Sequence, residues 1–426
     1  NMRFLRDVAN HYPLDHERLE RMSLIEEGEE KKIRMSHLCI VGSFSVNGVS
    51  HLHTELLKKD LFRDFYEFFP GKFNSKTNGI TQRRWLQKAN PGLSDIITGA
   101  IGEEWTTDLG RLKKLSGLIS DTSFKKKWRD AKKENKLRLA KYIMDKNGII
   151  VDPDSIFDVQ VKRIHEYKRQ VLFAFHLIAQ YLKIKNGRKE NFYPRTAIIA
   201  GKAAPSYTAA KLIIKFISNV ANVINNDPDV SDKLKIVFME NYCVSLAEKI
   251  FPASELSEQI SLAGREASGT GNMKFMLNGA VTIGTRDGAN IEIAEEVGDE
   301  NIFLFGLDVQ QVEDLFKKRY DPREYIGRDP LLKEIFQLIK DDFFSQVEPG
   351  IFKGFHDRLL ERDEYMVCAD FEDYMRTQEE VSKAYQDRDG WLKRSMINVA
   401  SSGRFSSDRS VKEYADNIWK VDYIGK

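Results

Sequence analysis

Residues 266–279 read EASGTGNMKFMLNG: three glycines, a serine, a threonine and a single lysine opening onto a short apolar run. Ser268, Gly269, Thr270 and Gly271 fall at or just before a helix start. Backbone N–H groups are unpaired there and the helix dipole is positive, so an anion is favoured. Glycines let that anion approach the backbone closely. The pattern GxxxxGK[ST] is absent and the spacing GxGxxG fails, so neither familiar nucleotide loop is indicated. Lys274 follows Thr270 by four residues, one turn along the same face, among Met273, Phe275, Met276 and Leu277. An amine in apolar surroundings loses basicity and becomes a candidate Schiff-base nucleophile. The alternative is a surface lysine whose stem snorkels past its neighbours. A phosphate pocket beside a lysine able to be neutral fits pyridoxal phosphate, which carries both an aldehyde and a phosphate.

Three further stretches carry usable groups. VKRIHEYKRQ (161–170) holds Lys162, Arg163, Lys168 and Arg169 within eight residues. It reads either as a solvated helix start or as an anion clamp, because arginine forks match phosphate and lysine supplies a point charge. GKAAPSY (201–207) places Ser206 and Tyr207 after a small-residue loop, as crevice lining or as a plain strand–helix turn. In ENYCVS (240–245), Tyr242 directly follows a strand-like run and reads equally well as core.

The elements that must position these groups alternate. SIFDVQV (155–161), RTAIIA (195–200), KLKIVFME (233–240), AVTIGT (280–285) and NIFLFG (301–306) are short apolar runs, most of them followed by a helical pattern. Near-continuous apolar strands separated by helices predict βαβ units and a parallel sheet covered on both faces. The fold class is therefore α/β, a doubly wound, mostly parallel Rossmann-like sheet. Such sheets bind ligands outside the carboxyl ends of their strands. Residues 1–60 and the chain after Leu307 read as mostly helical, and a domain boundary is expected near FNSKTNGITQRRW (73–85).

Bulk properties narrow the function. The chain has 426 residues, 66 basic and 64 acidic side chains and a formal charge of +2, which is no nucleic-acid footprint. Cys39, Cys243 and Cys368 are too dispersed for a metal motif or a disulfide framework, which makes a cytoplasmic setting the default. No window has the apolar length of a membrane span. The chain opens on Asn1 inside a helical pattern, which suggests a fragment.

EASGTGNMKFMLNG resembles the cofactor-lysine motif of the α-glucan (glycogen, starch and maltodextrin) phosphorylases. KTNGITQRRW, FDVQVKRIHEYKRQ, GKAAPSY and SSGRFSSDR resemble the same family, in order. The resemblance covers essentially the whole chain but only the C-terminal half of a family member. It implies a two-lobed glycosyltransferase-B architecture. Residues 1–76 would be the last helices of the glucan-binding lobe and 77–426 the cofactor-binding catalytic lobe. The final helix, around Val411–Val421, would pack toward the absent lobe.

By that resemblance Lys274 would form the Schiff base with pyridoxal 5′-phosphate. Thr270 and Gly271 would hold the cofactor phosphate with Lys162 as counter-charge, and Trp85 and Tyr242 would flank the cofactor. Arg163 and Lys168 would bind the substrate phosphate, with Tyr167 beside sugar and phosphate. Asn78, Glu266, Ser268 and Gly269 would bond glucosyl hydroxyls, and Tyr207 would belong to an aromatic entrance site for planar ligands. The implied reaction is phosphorolysis of terminal α-1,4-glucosidic bonds to α-D-glucose 1-phosphate with retention, the cofactor phosphate serving as acid and base. The implied partners are glucan, inorganic phosphate and, at full length, a second copy in a homodimer. Gln82 stands where the family usually has proline, and Cys243 where a basic residue is common. A sugar-nucleotide glycosyltransferase on a similar fold, or an inactive cofactor-binding fragment, are the competing readings. The lysine within an apolar helix speaks against the first.

Overall fold

A computed structural model describes residues 1–187 and 192–422. The chain divides into two compact units: Asn1–Asn78 together with the segment that starts at Ser407, and Gly79–Ser406.

The first unit is built on a small aromatic core of Phe4, Val8, Met22, Leu24, Ile40, Phe65 and Phe73. Short strand pairs join Ile25–Glu26 to Lys32–Ile33 and Val46–Gly48 to Phe73–Ser75. The late segment is tied in by polar contacts. Asn47 Nδ2 donates to the Tyr414 hydroxyl at 2.8 Å, and Arg409 donates to the Thr77 carbonyl at 2.7 Å.

The second unit carries the sheet. Its strands are β1 (Ile156–Val161), β2 (Arg195–Ala200), β3 (Leu234–Met239), β4 (Leu256–Gln259), β5 (Val281–Thr285) and β6 (Phe303–Phe305). All neighbours pair in parallel, in the spatial order 3-2-1-4-5-6. That is the order of a doubly wound dinucleotide-type sheet, in which the winding direction reverses between β1 and β4. The expected fold class is the observed one.

Period-two alternation buries both faces. Ile156, Ala197, Ile199, Leu234 and Ile236 join one core with helices α2 (Gln170–Lys185), α3 (Thr208–Asn226) and α7 (Val367–Gln386). Phe157, Val159, Val161, Ile198, Ala200 and Val237 join the other. That core includes α1 (Thr122–Asn147), α4 (Val244–Ala253), α5 (Gly271–Leu277), α6 (Ala289–Val297) and α8 (Arg388–Ala400).

One strand is invisible in the hydrophobic pattern. β4 is LSEQ, and its Ser257, Glu258 and Gln259 are all buried. Burial of so polar a strand requires partners. Glu258 accepts from the Tyr374 hydroxyl at 2.9 Å and from Gln378 Nε2 at 2.6 Å, both on α7. Burial first, and the neighbouring Asp158 carboxylate second, push Glu258 well above the usual carboxylate range, so it keeps its proton. Arg195 pairs with Asp158 and donates to Gln378 Oε1 at 2.6 Å, which completes the cluster under the centre of the sheet.

Candidate active site at the switch point

β1 ends at Val161 and β4 at Gln259, so the loops that leave them open on either side of the reversal. Lys162 spans the gap, its Nζ donating to Gln259 Oε1 at 2.8 Å. Gly201 is what lets the loop after β2 lie against this point. A Cβ there would sit 2.0 Å from the Lys162 carbonyl, far inside contact distance. Burial lowers the Lys162 ammonium to about 8, partly offset by Glu266, and Lys168 adds to the lowering. An incoming anion would restore that charge.

Lys168 lies on the turn Glu166–Lys168 and is buried. Its Nζ forms an ion pair with Glu266 Oε2 and lies 4.6 Å from the Tyr167 ring centroid. Glu266 also accepts from the Ser261 hydroxyl at 3.1 Å. Burial alone would raise the Glu266 carboxyl; Lys162 and Lys168 outweigh it and hold the group below its ordinary value.

The four cations of residues 161–170 do not act together. Arg163 is exposed, Lys162 is partly buried and Lys168 is buried. Arg169 turns away entirely: it is 0% exposed, with φ at +56°. Its Nε donates to the Ile260 carbonyl at 2.7 Å and its Nη1 to Asp370 Oδ2 at 2.6 Å. It is a brace between the β4 loop and α7, which removes it from the anion clamp.

The loop 266–270 is shaped from beneath by residues the motif reading missed. Asp287 Oδ2 accepts from the Glu266 and Arg265 backbone N–H groups at 2.8 and 3.2 Å. Gly288, at φ +48°, lies so close that a Cβ would stand 2.5 Å from the Glu266 carbonyl. The Asp-Gly dipeptide just past the AVTIGT strand is a turn signal that could have pointed to both.

Thr270 caps α5 with no side-chain bond, and a Cβ added at Gly271 would meet nothing within 4 Å. The start of α5 is thus open, with Gly269 at φ +80° and Ser268 buried beside it. One turn on, Lys274 is half-buried and its Nζ lies 4.2 Å from the Trp85 ring centroid. Burial lowers its basicity. Tyr242 packs against the apolar cluster that holds Trp85 and Met273, and burial raises its hydroxyl.

Tyr207 stands apart from this group, in a row of rings. His165 lies 4.6 Å from Tyr167 and 4.8 Å from Tyr207, centroid to centroid. The Tyr207 hydroxyl donates to Glu166 Oε2 at 2.6 Å. Asn78 belongs to the first unit. Gln82 is fully buried and donates to the Thr106 carbonyl at 2.9 Å, which gives that position a packing role a proline could not fill. Cys243 is exposed, its thiol lowered by a hydrogen bond with Ser245.

The arrangement offers an open helix start, an amine of lowered basicity over an aromatic ring, and two lysines close enough to Glu266 to govern its charge. Those residues fit pyridoxal phosphate: room at Gly271 for a phosphate, and an amine at Lys274 for an aldehyde. Among the described residues no group of three or more His, Cys, Asp or Glu could hold a metal ion, and no helix is long and apolar enough to cross a membrane.

The comparison with known proteins agrees with this geometry. The chain is 52% identical over 422 residues to the muscle form of glycogen phosphorylase from Bos taurus, covering 99% of this chain and 50% of that protein. It is 51% identical to the muscle form and 52% identical to the brain form from Homo sapiens, with the same coverage. The chain thus spans about half the length of the curated relatives it matches. The family model for carbohydrate phosphorylase matches residues 1–421. Nearly the whole chain is covered by that match, and the chain belongs to the carbohydrate phosphorylase family.

Proposed function

We propose that this chain is the cofactor-binding catalytic half of an α-glucan phosphorylase. The enzyme would release α-D-glucose 1-phosphate from the ends of α-1,4-glucans, with inorganic phosphate as acceptor and with retention of configuration. The observation that carries the reading is the Lys274 amine, placed over Trp85 with its basicity lowered, one turn past an open helix start.

When bound, pyridoxal 5′-phosphate supplies a phosphate that exchanges a proton with the substrate phosphate. The chain's own groups do the rest. Lys274 anchors the cofactor, Trp85 and Tyr242 pack beside it, and the backbone N–H groups at Thr270 and Gly271 donate to its phosphate. Lys162 stays protonated beside that anion. Two phosphates side by side repel strongly in a site poor in water; Arg163 and Lys168 offset this by holding the second one. Once Lys168 turns to phosphate, Glu266 is released to accept from a glucosyl hydroxyl. Ser268 and Gly269 add further contacts, and Tyr167 lies beside sugar and phosphate. Glu266 then orients substrate and is not half of a glycosidase carboxylate pair. Tyr207, His165 and Tyr167 form a ring-lined entrance suited to planar ligands. The full-length protein would be a cytoplasmic homodimer.

The test does not need turnover. The chain is loaded with pyridoxal phosphate, reduced with borohydride and mapped by mass spectrometry. A pyridoxyl adduct on Lys274, lost in Lys274→Arg, is the expected result. An unmodified Lys274 at excess cofactor would move the reading toward a sugar-nucleotide transferase.

A further inference from the structure

Behind the Lys274 helix lies a run of buried amides that the reading above does not use. Asn278 caps the C-terminus of α5 and is 0% exposed. Its Nδ2 donates both to the Trp85 carbonyl at 2.7 Å and to the Lys274 carbonyl at 2.9 Å. One amide group therefore holds the backbone of the ring-bearing residue and that of the amine-bearing residue at once. Its Oδ1 accepts from Asn90 Nδ2 at 3.1 Å, and Asn90 Oδ1 accepts from Asn135 Nδ2 at 2.9 Å. Its carbonyl accepts from Lys132 Nζ at 2.8 Å, an ammonium that also bonds the Pro252 and Ser254 carbonyls. Asn135 and Lys132 are three positions apart on α1, on one face of that helix.

We propose that Asn278 is a positioning residue that sets the Lys274 amine against the Trp85 ring, with α1 as the fixed frame it is referred to. The proposal rests on the reading of Lys274 as cofactor anchor for its functional meaning, but the geometry it asserts exists without cofactor. Each polar atom of the Asn278 side chain has a partner, and a fully satisfied buried network has few alternative arrangements. The distance between the Trp85 and Lys274 backbones is thus determined by one planar group. Without it, the end of α5 keeps the Lys132 bond to its backbone carbonyl but loses its tie to the Trp85 backbone, and the Lys274 side chain can leave the ring for water.

Competitive trace acetylation of the 426-residue chain, without cofactor and across the alkaline range, gives the pH midpoint of the Lys274 amine by peptide mapping. The midpoint reports protonation and is unaffected by any change in reagent access. In Asn278→Ala it is expected to rise toward the ordinary 10.5, lowering the free-amine fraction near neutrality at least ~threefold. Asn301→Ala, which removes another buried asparagine amide bonded to a helix carbonyl, is expected to leave it unchanged. A wild-type midpoint in Asn278→Ala overturns the proposal.

If Asn278→Ala does not fold, Asn90→Ser decides. Serine still caps the helix Pro91–Ile101 but loses the amide bond to Asn278. A smaller shift in the same direction supports the proposal, and none overturns it. With pyridoxal phosphate at limiting concentration, the borohydride-trapped fraction on Lys274 is expected to fall about tenfold in Asn278→Ala. Failure of the wild type to trap the cofactor overturns the anchor reading alone, because the midpoint comparison is made without it.

Discussion

Lys168 and Glu266, each proposed above to meet a different part of the substrate, are bonded to one another. The pair lies at the reversal of the sheet, with Lys168 11% and Glu266 24% exposed in their side chains. Each group therefore masks the other until an anion competes for the ammonium. Phosphate and sugar should then bind cooperatively, since capture of Lys168 by one frees Glu266 for the other.

The first consequence is measurable on the chain alone. Glu266→Gln removes the competing carboxylate, and inorganic phosphate is expected to bind about fivefold more tightly, a change on the order of 1 kcal/mol. Titration calorimetry reads it directly. Unchanged or weaker phosphate binding would mean that Lys168 does not meet the anion.

Lys162 gives a pH signature. With its folded value near 8, it is charged below that pH and progressively neutral above it. Phosphate or pyridoxal phosphate should therefore bind more weakly as pH rises through 8, with proton uptake on binding in that region. Lys162→Met is expected to bind more weakly at neutral pH and to lose this dependence. A Lys162→Met titration that keeps the slope would assign the proton elsewhere.

Glu255, just before β4, carries an acid-sensitive part of the stability. It accepts from Lys136 Nζ at 3.1 Å and from Trp391 Nε1 at 2.9 Å. Burial alone would raise it; Lys136 and Lys132 outweigh this and lower it from 4.5 to about 2. A carboxyl with a depressed folded value stabilises above its unfolded value and loses that contribution as pH falls. The window runs from about 4.5 down to 2, and the contribution is at most about 3 kcal/mol. Denaturant melts of wild type and Glu255→Gln should converge as the pH is lowered through that window.

Arg169 predicts a structural loss. Arg169→Met leaves Asp370 buried without its cation and the Ile260 carbonyl without its donor. Removing one partner of a buried pair costs about 3–5 kcal/mol. Arg169→Lys should restore little, because one ammonium cannot reproduce two donors set in a planar fork. Chemical denaturation of the two variants reads the difference.

The site was legible where its chemistry is contiguous. Residues 266–274 place loop, helix start and lysine within one stretch, and helix geometry alone relates Thr270 to Lys274. The five apolar strands were legible for a similar local reason, since burial on both faces makes most of their positions apolar. β4 was not, because its Glu258 and Gln259 are satisfied by residues far away in sequence, and no local pattern records that. Arg169 read as part of a cation cluster because a sequence does not show which way a side chain turns. Its positive φ and its pairing with Asp370, 201 positions on, decide that. Asn278, Asn90 and Asn135 carry no motif, since their meaning is in contacts 188 and 45 positions apart.

The polar cluster beneath β4 also bears on how the chain is made. Arg195 waits for Gln378, 183 residues later, and Glu258 waits for the same side chain across 120. At ~10 residues per second of synthesis, a ribosome needs roughly 20 s between delivering the first and the last. Over that interval Asp158 and Arg195, joined part-way by Glu258, stand in the middle of the sheet before their helical cover has been translated. Only the emergence of α7 supplies the side chains that satisfy this cluster, so the centre of the sheet is completed last.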